Sequence, residues 1–387
     1  MNILVFTPLY YIDGRDDLIH DTSAIHYLVK YWTINNKVLV IDTYLNYRNK
    51  IGRYLKKQNR NYYKSDYCFN KDNVRVYIIE NQILTKGRFT SWNWKHCIKH
   101  IQRILLDENF LPDIVVSHFP CYSYGFIDKL KFNVPKIAVL HESDVVNAKA
   151  DKKFFKALEE KYNAVYCRSK KIWRYFTSQG LNNVQREIIY SGAPNNNAIV
   201  KRNWEDFRHN TVKVLFVGKL IKRKNIDWII RALYEQSFKQ FKLEIVGSGE
   251  EESNIKALVN QLGMDDRVTF IESLPRDQVL KKMESADIFC MPSINETFGL
   301  VYVEALSRGC LTIGTVNEGI DGVIKDSQNG FLVSSCENLV DLFRNIFSMM
   351  PIEKIQMISD KAVETGGFFS EDNVSKRYFN LIKTYVP

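Results

Sequence analysis

The stretch "ADIFCMPSINETFGLVYVEALSRG", residues 286–309, holds an apolar run (287–291), a Pro-Ser-Ile-Asn turn and then an apolar segment at helical spacing. A strand covered on both faces reads as a continuous apolar run instead of an alternation, and the stretch therefore reads as buried strand, loop and helix. The same grammar recurs along the chain. In the first half the strand candidates are "ILVFT" (3–7), "VLVID" (38–42), "VRVYII" (74–79), "DIVVS" (113–117), "KIAVL" (136–140) and "AVYCR" (164–168). In the second half they are "VLFVG" (214–218), "KLEIVG" (242–247), "RVTFI" (267–271), "DIFCM" (287–291), "LTIGT" (311–315) and "GFLV" (330–333). Helical patterns fill the gaps between them. This spacing predicts two α/β domains with parallel sheets built from βαβ units.

A chain of 387 residues suits two domains better than one core. The polar segment "SGAPNNNAIVKRNWEDFRHN" (191–210) divides two strand-rich halves. The reading is a first domain over 1–195, a linker at 196–210, a second domain over 211–368 and a terminal helix over 369–387. That helix has Ser370 as a cap candidate and apolar residues at Val374, Tyr378, Leu381 and Tyr385.

Composition excludes several classes. No apolar run approaches the roughly 18 residues that a membrane helix needs. The opening "MNILVFTPLYYIDG" lacks a basic leading region and a small-residue cleavage site, so it reads as a first strand ending near Pro8. Seven cysteines, odd in number and without a C-x-x-C pair, lie partly in strand-like runs. They read as small hydrophobes of a reducing compartment, which points to a cytoplasmic protein. The net charge of +10 is uneven: residues 1–200 carry 30 Lys and Arg against 18 Asp and Glu, and the remainder 24 against 26. The surplus calls for an anionic partner, whether a membrane surface, a nucleic acid or a substrate. It is densest in "YRNKIGRYLKKQNRNYYK" (47–64), with seven basic residues and no acid, and continues in "KGRFTSWNWKHCIKHIQR" (86–103). There Trp92 and Trp94 could lie at a membrane interface. His96 and His100 share a helix face, but no third ligand is evident and no metal is assigned.

Chemistry in open α/β sheets gathers in the loops after the strands. Five such stretches come in order: "VLFVGKLIKRKN" (214–225), "LEIVGSGEEE" (243–252), "VTFIESLPRDQV" (268–279), the opening stretch, and "IKDSQNGFLV" (324–333). In the opening stretch a helix is expected just after Glu296. The N–H groups of Phe298, Gly299 and Leu300 would then stand at its positive end, ready for a phosphate. Glu304, eight residues after Glu296, would return to roughly the same side two turns on. Taken alone, the two glutamates could equally be a capping carboxylate and a solvated helix residue.

The ordered set resembles the donor half of the family 4 retaining glycosyltransferases (glycosyl transferases group 1), closely over about 120 residues and loosely elsewhere. The resemblance implies the GT-B fold: two doubly wound, Rossmann-like domains facing across a deep cleft, with a terminal helix crossing back to the first. It implies transfer of a hexose or N-acetylhexosamine from a nucleoside-diphosphate sugar, with UDP-sugars ahead of GDP-sugars. The acceptor would be a glycan or lipid-linked molecule of bacterial capsule, lipopolysaccharide or glycolipid synthesis. The enzyme would be peripheral on the inner face of the cytoplasmic membrane.

By the same resemblance Glu296 contacts the donor sugar and Glu304 the ribose. Lys219 and Lys224 reach the diphosphate, with Lys219 standing where the family usually has Arg and Arg223 as a substitute cation. Gly218, Gly247, Leu274, Thr297, Phe298, Gly299 and Leu300 complete the donor site. His141 and Asp144, in "VLHESD", sit by the sugar and the acceptor, and Gly14 and Arg15, in "YYIDGRDD", lie in a loop toward the acceptor. Glu296, His141 and Lys224 carry catalysis. No cofactor, metal or protein base is implied, because the leaving phosphate helps to deprotonate the acceptor. "TVNEGIDGVI" departs from the pattern, with Glu318 where glycine is common and no glutamate after the isoleucine. A GT-B epimerase or glycan phosphorylase, a nucleotide-sugar-binding protein without catalysis, and a basic nucleic-acid-binding protein remain as alternatives. The last would show steeply salt-dependent binding; nucleic acid is not the expected partner.

Overall fold

The structure is a computed structural model that describes residues 1–10, 24–43, 45–47, 67–83, 90–150, 152–181, 185–193, 200, 202–236 and 240–386. Two compact units divide the chain. The first holds Met1–Arg168, Ile172–Gly192 and Asp372–Pro387, and the second Ser169–Lys171 and Ala193–Glu371.

In the first unit the strands are β1 (Asn2–Thr7), β2 (Lys37–Asp42), β3 (Leu45–Tyr47), β4 (Tyr67–Lys71), β5 (Val74–Ile78), β6 (Asn81–Ile83), β7 (Ile114–His118), β8 (Lys136–Leu140), β9 (Ala164–Cys167) and β10 (Gln185–Ile188). Eight of them form one sheet in the order β10-β9-β8-β7-β1-β2-β5-β4, while β3 and β6 pair separately. Every pair in the large sheet is parallel except the edge pair β4–β5. Ile3, Leu4, Val5, Val115, Val116, Ile137, Ala138 and Val139 have no exposed surface, as the continuous apolar runs require. Each fully buried aliphatic side chain contributes about 1.5–3 kcal/mol relative to leaving it in water.

The second unit carries β11 (Val212–Val217), β12 (Phe241–Val246), β13 (Val268–Ile271), β14 (Ile288–Cys290), β15 (Leu311–Thr315) and β16 (Phe331–Val333). They form one parallel sheet in the order β13-β12-β11-β14-β15-β16. All twelve expected strands are present. The four that sequence reading did not supply are short: β3, β4, β6 and β10.

Each sheet has a point where strand order reverses. In the first unit it lies between β1 and β7, and in the second between β11 and β14. At such a point the connections from the two adjacent strands run to opposite faces of the sheet, and the strand carboxyl ends there are where open α/β sheets bind ligands.

Residues 202–210, expected within the linker, pack into the second unit instead. Arg202 donates to the Arg308 and Met283 carbonyls at 2.7 Å, and Arg208 to the Phe347 carbonyl at 3.0 Å. Trp204 and Phe207 are buried against each other. The terminal helix (Glu371–Lys383) returns to the first unit, where the Trp32 indole N–H donates to the Ser375 carbonyl at 3.2 Å and the Ser375 hydroxyl to the Leu28 carbonyl at 2.6 Å. The seven cysteines are all free thiols.

Candidate active site

In the second unit the loops after β11 and β14 are zipped together across the reversal point. The Ile294 N–H donates to the Arg223 carbonyl at 2.9 Å, and the Asn225 side-chain amide to the Pro292 carbonyl at 2.9 Å. This zipper delivers Lys224, itself buried, to Glu296: Nζ lies 2.5 Å from Oε2. Arg223 adds a second cation, with Nη1 3.4 Å from the same oxygen. Gly218 lies beside the Lys224 stem, and Lys219 next to it is exposed. The loop after β12 joins the group through the Leu220 N–H, which donates to the Ser248 carbonyl at 2.9 Å, and Gly247 is tied to β13 through the Ile271 carbonyl. Ser248 and Ser273 hydroxyls meet at 3.4 Å, which places partly exposed Leu274 next to the β12 turn.

The helix does not begin just after Glu296. It spans Leu300–Ser307, with Gly299 as its first flanking residue at φ +76°, a left-handed conformation that a residue with a Cβ adopts at a cost. Asn295 is also left-handed, at φ +53°. Residues 291–299 are therefore an irregular loop, in which Phe298 is a buried residue packed toward Phe369 and not a helical one. The helix end that could face an anion is that of Leu300 and Val301, whose N–H groups have no carbonyl four residues back within the helix.

Glu304 is on that helix but does not share a face with Glu296, which is off the helix altogether. It is buried, and its Oε1 is paired with Arg276 from the segment after Leu274. Burial raises the Glu304 carboxyl above its ordinary range, against the pull of Arg276 and Arg308. The structure thus brings Lys224 and Glu296 into contact and gives Glu304 a separate cationic partner.

Glu318 and Gly319 close the loop from the other side. The Glu296 N–H donates to Glu318 Oε2 at 3.0 Å, and the Gly319 N–H to the Glu296 carbonyl at 3.0 Å. A Cβ on Gly319 would stand 2.2 Å from the Thr297 carbonyl oxygen, so only glycine allows this approach. Glu318, a departure from the family pattern, thus acts here as a carboxylate clamp on the Glu296 backbone.

In the first unit, His141 follows β8 and is half-buried. Asp144 is fully buried, and its two oxygens accept from the His141 N–H at 2.8 Å and the Cys121 N–H at 3.1 Å. It fixes the His141 backbone and does not itself reach solvent. Burial pushes its pKa up to about 7. His118, at the end of β7, lies 3.1 Å from His141 Nε2 through its Nδ1. Burial and the Arg168 charge lower both histidines well below the ordinary range, and the nearby His118 lowers His141 further, which favours the neutral imidazoles. Gly14 and Arg15 lie outside the described residues, as does the basic run 48–64. Among the described residues no group of three or more metal-ligating side chains is present.

Sequence reading missed Arg276, His118 and the clamp made by Glu318 and Gly319. Arg276 carried a signal, as the first cation after Leu274. His118 carried a weaker one, as a polar residue closing a buried strand.

A family model described as glycosyl transferases group 1 matches residues 200–362, the region that holds Lys224, Glu296 and Glu304. An uncharacterized glycosyltransferase of Methanocaldococcus jannaschii is 29% identical over 310 residues, covering 73% of this chain and 83% of that one. Residues 200–362 thus carry a glycosyl transferases group 1 domain, and the fold is that of the GT-B glycosyltransferases. Solved structures carry the same fold at full length. The lipopolysaccharide outer core galactosyltransferase WaaB, in its apo form, superposes with a TM-score of 0.71 at 16% identity, over 99% of each chain. Anabaena HepE in complex with UDP superposes with a TM-score of 0.70 at 15% identity, over 99% of this chain and 100% of that one. No helix of the described residues is long and apolar enough to cross a membrane.

Proposed function

We propose that the enzyme transfers a hexose or N-acetylhexosamine, with retention of anomeric configuration, from a UDP-sugar (GDP-sugars second) to a glycan or lipid-linked acceptor of bacterial surface polysaccharide or glycolipid synthesis. The observation that carries this reading is the Lys224–Glu296 contact at the reversal point of the second sheet. Around it, Lys219, Arg223 and the N-terminal end of the helix Leu300–Ser307 offer positive charge to a leaving diphosphate. Glu296 takes the sugar hydroxyls and Glu304 the ribose hydroxyls, and Leu274 lies against the base. The UDP complex of the HepE neighbour favours uridine.

No divalent metal enters the reaction, since charge on the leaving group is met by side-chain cations and helix N–H groups. His141 is assigned to the donor sugar by the family resemblance, and the surplus of basic residues in the first half of the chain fits an acceptor carried on a lipid diphosphate at an anionic surface.

The test is a panel of nucleotide sugars, scored by thermal stabilisation and slow donor hydrolysis, followed by transfer in the presence of EDTA. Stabilisation by one UDP- or GDP-sugar and an EDTA-insensitive product with retained configuration, read by NMR coupling constants, is expected. No stabilisation by any member sinks the reading, and an inverted product sinks the retaining mechanism. Sedimentation with anionic vesicles, lost as salt is raised, is the expected outcome for the membrane assignment.

A further inference from the structure

A buried polar chain in the first unit runs from the terminal helix to His141. It starts at Tyr378, which has no exposed surface and is held edge-on by Trp32 at 4.9 Å between ring centroids. Tyr378 Oη lies 3.4 Å from His118 Nε2, and His118 Nδ1 lies 3.1 Å from His141 Nε2. His118 is buried, so His141 is the one member of the three that reaches the surface. Phe119 stacks on the His141 ring at 3.6 Å, with 16° between planes, and sets its orientation.

Such a chain can be protonated in two senses, and the direction of one O–H decides between them. A neutral imidazole carries a single N–H, so whichever nitrogen accepts forces the proton onto the other. Arg168 breaks the tie. It is buried beside the chain, donates to the Tyr190 carbonyl at 3.2 Å and to the Ser191 hydroxyl, and its charge acts on Tyr378 and both histidines. A guanidinium has donors only and a fixed positive charge. The Arg168 backbone N–H donates to the Leu140 carbonyl at 3.1 Å, one residue before His141, and a fixed positive charge there favours a Tyr378 hydroxyl whose proton points toward His118 Nε2. His118 then carries its proton on Nδ1 and donates to His141 Nε2.

We propose that Tyr378 and His118 are positioning residues that lock His141 as its Nδ1–H tautomer, so that its one uncommitted nitrogen presents a hydrogen-bond donor to a ligand oxygen. The ligand, a hydroxyl of the glycosyl donor, rests on the function proposed above. The tautomer does not, because the groups that set it lie in the first unit and are present without substrate.

The experiment uses full-length protein with ¹⁵N-labelled histidine, and the two- and three-bond ¹H–¹⁵N correlations report which ring nitrogen of each histidine is protonated. His141→Asn and His118→Asn assign the two spin systems by difference. The expected result is the Nδ1–H form for both residues in the wild-type protein. In Tyr378→Phe, which keeps the buried ring, His141 should shift to a mixture or to the Nε2–H form. Turnover with a confirmed donor should fall about three- to tenfold, the worth of one hydrogen bond. His118→Gln, whose amide can still donate to His141 Nε2, should retain the Nδ1–H form, and His118→Phe should lose it. An Nε2–H form of His141 in the wild type, or a tautomer that stays the same in Tyr378→Phe and His118→Phe, overturns the proposal. If no nucleotide sugar binds while the tautomers behave as stated, it is the glycosyl-transfer reading that fails.

Discussion

Lys224 Nζ lies 2.5 Å from Glu296 Oε2, and the two residues come from loops that leave β11 and β14 at the one place where the second sheet reverses its strand order. A buried ammonium and a partly buried carboxylate are each held in a fixed place by the other. A ligand that takes a hydroxyl contact from the carboxylate and a phosphate contact from the ammonium finds both already ordered.

Lys224→Ala should lower kcat/KM for transfer by about 10²–10³, the range seen when one preorganised charge-stabilising group is removed. Lys224→Arg should recover part of the loss, because it restores charge with a different geometry. Initial rates with a confirmed donor measure both. Activity within threefold of wild type in Lys224→Ala would falsify the assignment of Lys224 to the leaving group.

Arg276→Ala leaves the Glu304 carboxyl buried without its nearest cation. Arg276 is partly exposed, which lets water relieve some of the cost, so a destabilisation of about 1–3 kcal/mol is expected in urea unfolding. Arg276→Lys should be milder. Donor KM should also rise in Arg276→Ala if Glu304 meets the ribose.

Gly319→Ala places a methyl group 2.2 Å from the Thr297 carbonyl oxygen, so the 296–299 loop or the 318–319 turn has to move. Crowding of this kind costs about 1–3 kcal/mol. Calorimetry should register a lower Tm, and donor affinity should weaken at the same time. A lower Tm with unchanged affinity would separate this turn from the donor site.

Asp144 gives a pH signature. Burial raises its pKa from 3.8 to about 7, so the folded protein holds the proton more tightly than the unfolded chain. The associated stability is full below about pH 4 and is lost as pH rises through about 7, a linkage of roughly 4 kcal/mol at most. Asp144→Asn has no proton to bind there. The wild-type advantage over the variant should therefore shrink between pH 4 and pH 8, and a constant difference in Tm across that range would contradict the assignment.

How much of this could be read in advance differs by element. β1, β7, β8 and β11 are buried on both faces, and their unbroken apolar runs announce them. β4 ("YCFNK") and β10 ("QREI") are short and polar, and they exist because a neighbouring strand offers a ladder; nothing local specifies that. The glutamates of the opening stretch were legible as residues but not as geometry. Gly299 and Asn295 adopt left-handed conformations that delay the helix to Leu300, and that delay moves Glu296 off the helix surface. Asp144 was legible as a neighbour of His141, but its complete burial depends on Cys121, more than twenty residues earlier in the chain. Periodicity reports which face of an element is covered, and it is silent on which distant backbone N–H group a carboxylate will find.

The return of the terminal helix orders events during synthesis. Residues 193–371 of the second unit emerge as one nearly continuous length, whereas Trp32 and Leu28 must wait for Ser375, and His118 for Tyr378, more than 250 residues later. The unit whose chain leaves the ribosome first is thus the one that can be completed only last. Until residue 378 is free, the Trp32 face and the His118 pocket stand open to water, and a nascent or C-terminally truncated chain carries that exposed surface as its main hazard for misassembly.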